Sequence, residues 1–180
     1  MVATATPLVA GTRDALRAAL ERELLAEIPL ARAMQLAIDA WDGESLAITA
    51  PLAPNINDKG CAFGGSLAAV MTLAGWALVR LAVDADGLAA DIYVQDSTIR
   101  YHAPVWGDFR AEARLDAGDA FDGFLAALRQ RGKARLGVEV VVAGAGGTAT
   151  TLVARFVALA HPEPSTAGGD AAQSQAPSAA

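Results

Sequence analysis

The sequence predicts an α+β domain, a mostly antiparallel sheet wrapped around one long central helix. Three observations predict it. Residues 66–83, SLAAVMTLAGWALVRLAV, carry only Arg80 as a charge and are apolar nearly all round, as a helix enclosed by other structure must be. Segments 33–41, 45–50, 91–102, 109–116, 134–144 and 148–160 read as strands, rich in alternating and β-branched residues. Tight turns join neighbouring segments, which favours antiparallel pairing.

The elements follow in order. Residues 12–27, TRDALRAALERELLAE, read as an amphipathic helix capped by Thr12, with Asp14 in its first turn and Pro29 as its stop. AMQLAIDAW and SLAITA form a hairpin around Asp42 and Gly43, a strong turn pair. The loop 51–63 precedes the long helix, which Asp84 to Gly87 closes. DIYVQDSTIRYH is a strand stopped by Ala103 and Pro104, and a turn at Trp106, Gly107 and Asp108 leads into FRAEARLD. AFDGFLAALRQRG is a short helix ended by Gly132. ARLGVEVVVAG and TATTLVARFVALA make a last hairpin around Ala145 to Gly147. The expected organisation is a flexible N-terminus over 1–11, one domain over 12–160 and a disordered Pro/Ser/Ala/Gly/Gln-rich tail over 161–180.

Composition excludes several functions. A net charge of -6 argues against wholesale nucleic-acid binding. A single cysteine, Cys61, rules out an internal disulfide framework, and no signal-peptide pattern opens the chain; a cytoplasmic protein is expected. Cys61 to Val83 is long enough to span a bilayer. It is rich in Ala and Gly, lacks Lys/Arg-rich flanks and is accompanied by strands that need a cover, so a buried helix is the reading. Metal-ligand spacing, a Walker loop and a strand-linked GxGxxG are all missing from the sequence.

The densest polar cluster, PNINDKGCAFGGS (54–66), lies directly before the most apolar segment. Its NDKG and FGGS blocks, the following TLAGW and the later DIYVQDSTIRYHAPVWGDFRAEA resemble the hotdog-fold thioesterase superfamily, and within it the thioesterases similar to the C-terminal domain of YiiD. The resemblance spans about residues 20–160. It implies a homo-oligomer, dimer or tetramer, with two sheets joined edge to edge. It also implies active sites at the interface that receive a pantetheine thioester, carried by coenzyme A or an acyl carrier protein, with no further cofactor.

A helix beginning near Gly64 leaves its first N–H groups unpaired and partly positive, suited to a thioester oxygen becoming an oxyanion or enolate. Gly64 and Gly65 let a ligand approach the backbone, or merely ease packing; Ser66 belongs to the same turn. Phe63, Gly64 and Gly65 stand where relatives carry an HGG triplet, and Asn57 falls at the place of their preceding asparagine. Its amide could donate to the thioester oxygen or position a water; the alternative is an Asx turn. Asn55 is a weaker candidate for that role. Asp58 is a candidate base or a partner that orients Lys59, against a plain loop salt bridge. Relatives carry an Asp or Glu seven residues after the second glycine; here that residue is Thr72. Threonine can hydrogen-bond a water or a substrate carboxylate, or simply bond back to its own helix.

The missing carboxylate opens a second reading. Decarboxylation of a malonyl thioester needs enolate-stabilising donors and no base, so a malonyl-acyl-carrier-protein decarboxylase that initiates fatty acid synthesis stands beside thioester hydrolysis. A non-catalytic acyl-thioester-binding dimer is the third possibility. Arg129, Arg131, Lys133 and Arg135 form the basic cluster expected to meet coenzyme A phosphates or an acidic carrier protein, or else only to complement the helix dipole. Cys61 as nucleophile and His102 as base are lesser candidates.

Overall fold

The computed structural model describes residues 10–161. The expectations for 1–9 and 162–180 lie outside the described residues. Eleven elements follow along the chain: helices α1 (Ala10–Glu27) and α2 (Pro29–Ala33), strands β1 (Ala37–Trp41) and β2 (Ser45–Ala50), a 3-10 turn (Ala53–Asn55), helix α3 (Gly64–Ala85), strands β3 (Ala90–Tyr101) and β4 (Phe109–Leu115), helix α4 (Phe121–Arg131), and strands β5 (Lys133–Gly144) and β6 (Gly147–Ala160). The six strands form one antiparallel sheet in the order β1-β2-β4-β5-β6-β3. The sheet curls around α3, whose Val70, Met71, Ala74, Leu78 and Leu81 are fully buried. The long apolar segment is therefore a core helix.

Turn chemistry acts where it was expected. Asp42 Oδ1 accepts from the N–H groups of Glu44 and Ser45 at 2.8 and 2.6 Å, while Gly43 takes φ +103°. Gly132 ends α4 at φ +65°, a left-handed cap. Gly75 sits in α3 because Phe156, fully buried on β6, fills the space a side chain would need; a Cβ there would lie 2.9 Å from the ring.

Two local readings need correction. Ala10 and Gly11 are already helical, so Thr12 lies inside α1, and Asp14 pairs with Arg17 at 3.9 Å. Pro29 does not simply stop the helix: it opens α2, where a missing N–H costs nothing. The first strand consequently begins at Ala37 rather than at 33, after Gln35 turns the chain at φ +54°.

The sheet's two edges differ. On β1, the Ile38 N–H donates to Glu21 at 2.6 Å and the Ile38 carbonyl accepts from Arg17 at 2.6 Å, so α1 caps that edge. On β3, the Ala89 carbonyl accepts from His161 N–H, and His102 N–H donates to Ala149, which fixes the direction of the backbone between them. Ala90, Ile92 and Val94, then Ser97, Ile99 and Tyr101 after the bulge at Gln95, direct their backbone groups away from β6. The side chain that reaches this edge is Trp76, whose Nε1 donates to the Ile92 carbonyl at 3.1 Å.

Candidate functional site

The loop before α3 is a small hairpin closed by an Ile56–Ala62 bridge. Asn57 N–H donates to the Cys61 carbonyl at 2.8 Å, and Gly60, at φ +86°, turns the tip. The Ala62 N–H donates to the Val105 carbonyl and the Phe63 N–H to the Asn55 carbonyl, so the loop and the segment after β3 together fix where α3 begins. Phe63 is the N-cap residue and supplies no side-chain cap. The first helical bond runs from Leu67 N–H to the Phe63 carbonyl at 3.0 Å. The N–H groups of Gly64, Gly65 and Ser66 thus have no partner within the helix and carry its positive end.

Both glycines have a steric cause as well. The Tyr101 ring lies 3.5 Å from where a Cβ on Gly64 would be, and its hydroxyl donates to the Gly64 carbonyl at 2.9 Å. The Phe63 ring lies 2.3 Å from the position of a Cβ on Gly65. That ring is 55% exposed, so much of it faces solvent beside the glycine backbone.

Asn57 holds the loop in an Asx turn: Oδ1 accepts from the N–H groups of Lys59 and Cys61 at 2.8 and 3.3 Å. Its Nδ2 meets Cys61 Sγ at 3.2 Å, a weak acceptor, so the amide hydrogens are not committed to a strong partner. Asn55 is not placed to bind substrate. It is 1% exposed, and its Nδ2 braces the Met34 and Pro51 carbonyls at 2.9 and 2.8 Å. Asp58 and Lys59 occupy the solvent-exposed hairpin tip and pair with each other at 2.9 Å. That is the plain loop salt bridge, with a hydrated carboxylate poorly suited to act as a buried base. Cys61 is buried at the hairpin base, and exposed His102 meets Thr151 Oγ1 at 3.1 Å.

Thr72 shares a helix face with Gly65, two turns further along α3. Gly65, Ala69, Thr72 and Trp76 fall on one stripe of α3, and all are less buried than the helix's sheet-facing residues. The basic cluster is not brought there. Arg129 pairs with Asp86 just past the C-terminal end of α3, and Lys133 registers with Leu159, itself opposite Asp91. Within one chain, Arg129, Arg131 and Lys133 therefore lie at the end of α3 opposite Gly64, and Arg135 bonds Gln95 at 2.8 Å.

Tyr101 and Trp76 are site residues that the sequence reading did not single out. Tyr101 opens the stretch YHAPVWGD, and Trp76 ends TLAGW, so both were signalled by motif. A depression of about 310 Å³ beside the first turn is lined by Gly64, Leu67, Tyr101, His102 and Pro104, among others. No cluster of metal-ligating side chains occurs among the described residues. Three helix amides without a partner in the helix, beside this depression, can stabilise charge growing on a carbonyl oxygen.

Comparison with known proteins matches residues 17–160 to the family model described as "Putative thioesterase (yiiD_Cterm)". A protein of unknown function from Chlorobaculum tepidum has a similar structure, with 29% identity over 82% of this chain and 96% of that one, and a TM-score of 0.78. A putative thioesterase from Shewanella oneidensis shares 31% identity over 81% of this chain and 99% of that one, with a TM-score of 0.73. A probable thioesterase from Pseudomonas aeruginosa shares 27% over 80% and 96%, with a TM-score of 0.67. With its sheet wrapped on a single long helix and the family's motif at that helix's start, this chain belongs to the YiiD C-terminal thioesterase family and has the hotdog fold.

Proposed function

We propose that the chain hydrolyses an acyl thioester of coenzyme A or of an acyl carrier protein. The carbonyl oxygen sits against the N–H groups of Gly64, Gly65 and Ser66, with the Asn57 amide as a further donor. Water adds to the carbonyl carbon, the oxyanion is held by these donors, and the C–S bond breaks to give the acid and the free thiol. The observation that carries the reading is the uncapped, glycine-built first turn of α3 in a member of a thioesterase family. Thr72, on the same stripe, is the hydroxyl available to hold the water.

The protein works as a homo-oligomer, dimer or tetramer, in this reading. The β3 edge supports it: among the described residues no strand pairs with its outer side, and a long open edge is a ready template for another strand. Two-fold antiparallel pairing of β3 edges would carry one chain's Arg129, Arg131 and Lys133 end toward its partner's Gly64. That would restore their expected role toward carrier phosphates or acidic residues.

One observation favours a second reaction. The helix stripe beside the donors holds Gly65, Ala69, Thr72 and Trp76 and no carboxylate, while Asp58 is solvated and tied to Lys59. Malonyl-thioester decarboxylation needs no base and would be repelled by one. Mass spectrometry of malonyl- and acyl-thioesters incubated with the protein separates the two. Free thiol supports hydrolysis; acetyl thioester with the C–S bond intact supports decarboxylation. Turnover of either kind should fall about 100-fold in Asn57→Ala. A folded variant with undiminished turnover would remove Asn57 from the mechanism, and no turnover on any thioester would leave a binding dimer.

A further inference from the structure

We infer that Tyr101 is a positioning residue of the thioester reaction: its hydroxyl, bonded to the Gly64 carbonyl, holds and polarises the peptide whose other end, the Gly65 N–H, meets the substrate oxygen. The inference rests on the thioester reading above.

The Gly64 carbonyl and the Gly65 N–H belong to one planar trans peptide and point in opposite directions. At the start of α3 the carbonyl points into the helix, and the N–H points out of it, where no helical carbonyl meets it. A helical carbonyl uses one lone pair for its own ladder and keeps a second. Into that second position the Tyr101 hydroxyl donates at 2.9 Å. A bond accepted at the oxygen draws electron density from the nitrogen, so the N–H of the same peptide becomes the better donor, by about 10–30% per bond.

The contact is held from both sides. Just after Tyr101, the N–H groups of His102 and Ala103 donate to the Ala149 carbonyl at 2.8 and 3.1 Å and fix the end of β3. Just before Gly64, the Ala62 N–H donates to the carbonyl of buried Val105 at 2.8 Å and ties the loop to the segment after β3. The Tyr101 ring packs against Gly64, 3.5 Å from where a Cβ would stand. Tyr101 is 52% exposed, so its hydroxyl could be served by water alone, yet it takes the carbonyl of the one peptide that joins the two site glycines.

The test measures kcat and KM separately on the full chain, with acetyl-, malonyl- and octanoyl-coenzyme A. One such donor is typically worth about 100-fold in kcat, and 10–30% of that on a logarithmic scale is roughly two- to fourfold. Tyr101→Phe keeps the ring and should lose that much in kcat, with KM and the unfolding midpoint nearly unmoved. Tyr93 is the chain's other tyrosine, so in Tyr93→Phe a ring-fluorinated tyrosine labels position 101 alone. Its more acidic hydroxyl donates more strongly, and kcat should rise above that of unlabelled Tyr93→Phe. Glycine isotopically labelled at its carbonyl carbon and nitrogen gives correlated NMR signals from Gly–Gly peptides only, at 64–65, 146–147 and 168–169. The 64–65 signal should move in Tyr101→Phe. It should also respond more in the wild type than in that variant to the stable ketone analogue of acetyl-coenzyme A, in which a methylene replaces the sulfur.

An unchanged kcat in Tyr101→Phe overturns the inference. So does a kcat that falls there but does not rise on fluorination, which would mean a role in shape alone, and so does a 64–65 signal that the analogue leaves in place. If Tyr101→Phe fails to fold, the fluorinated protein decides. Turnover absent on every thioester, with the 64–65 signal still responding more strongly in the wild type, would refute hydrolysis and leave the role of Tyr101 standing.

Discussion

Gly65→Ala tests the proposed site most directly. The added methyl would lie 2.3 Å from Phe63 Cε1 and 2.9 Å from its Cζ, closer than any carbon pair tolerates. The ring must therefore retreat by more than 1 Å, to reach an ordinary contact of about 3.5 Å. Because Phe63 is 55% exposed, that retreat displaces little packing. Alanine is also the better helix former, by up to about 1 kcal/mol, so stability should change by less than about 1 kcal/mol in either direction. Activity should behave differently. The methyl and the displaced ring both crowd the amides that meet the substrate oxygen, and losing one such donor typically costs about 3 kcal/mol, or 100-fold in kcat. Free-thiol release on an acyl-coenzyme A thioester measures the second quantity, and urea unfolding the first. The double variant Phe63→Ala/Gly65→Ala removes the ring but keeps the methyl, and should recover part of the loss at most. A Gly65→Ala enzyme with more than a third of wild-type kcat/KM and a normal unfolding midpoint would refute the placing of the substrate at α3's first turn.

Three further outcomes are expected. Thr150 is fully buried on the inner face opposite Tyr101, and its hydroxyl has no hydrogen-bond partner; Thr150→Val should stabilise the protein by about 1 kcal/mol in urea unfolding, since the cost of burying that hydroxyl disappears. Gly75→Ala forces a methyl to 2.9 Å from the Phe156 ring in a fully packed core; it should destabilise by about 1–3 kcal/mol despite alanine's helix preference, and less in a Phe156→Leu background. Acid stability should depend on Glu112, whose carboxyl is held below its usual range by the Arg114 guanidinium; burial opposes this, and Arg110 adds to the lowering. A lowered carboxylate stabilises the fold above about pH 4.5 and loses that contribution as pH falls through the lower folded value. The unfolding midpoint should thus be flat from neutral pH to about 5 and decline below it, with a shallower decline in Glu112→Gln and at high salt.

Local pattern made much of this protein legible. The apolar run of α3, the Asp42–Gly43 turn and the Gly132 cap are each decided by neighbours within a few residues, and the structure realises them. Asn57 lay between two readings for a physical reason: the same amide that closes an Asx turn keeps donors for a ligand, and sequence shows only the residue type. Asn55 was misjudged because its burial depends on the Met34 carbonyl, 21 residues away.

By itself the sequence determined the α+β class, the long helix and the polar loop that opens it, because periodicity and turn chemistry are short-range. Tertiary structure alone decided which groups meet at that loop. The strand order β1-β2-β4-β5-β6-β3 puts Tyr101 against Gly64 and sends Arg129, Arg131 and Lys133 to the opposite end of α3. Among the described residues it also leaves the outer side of β3 without a strand partner, while α1 seals β1. These are consequences of long-range pairing, whose register follows from burying one face of every strand against a single helix.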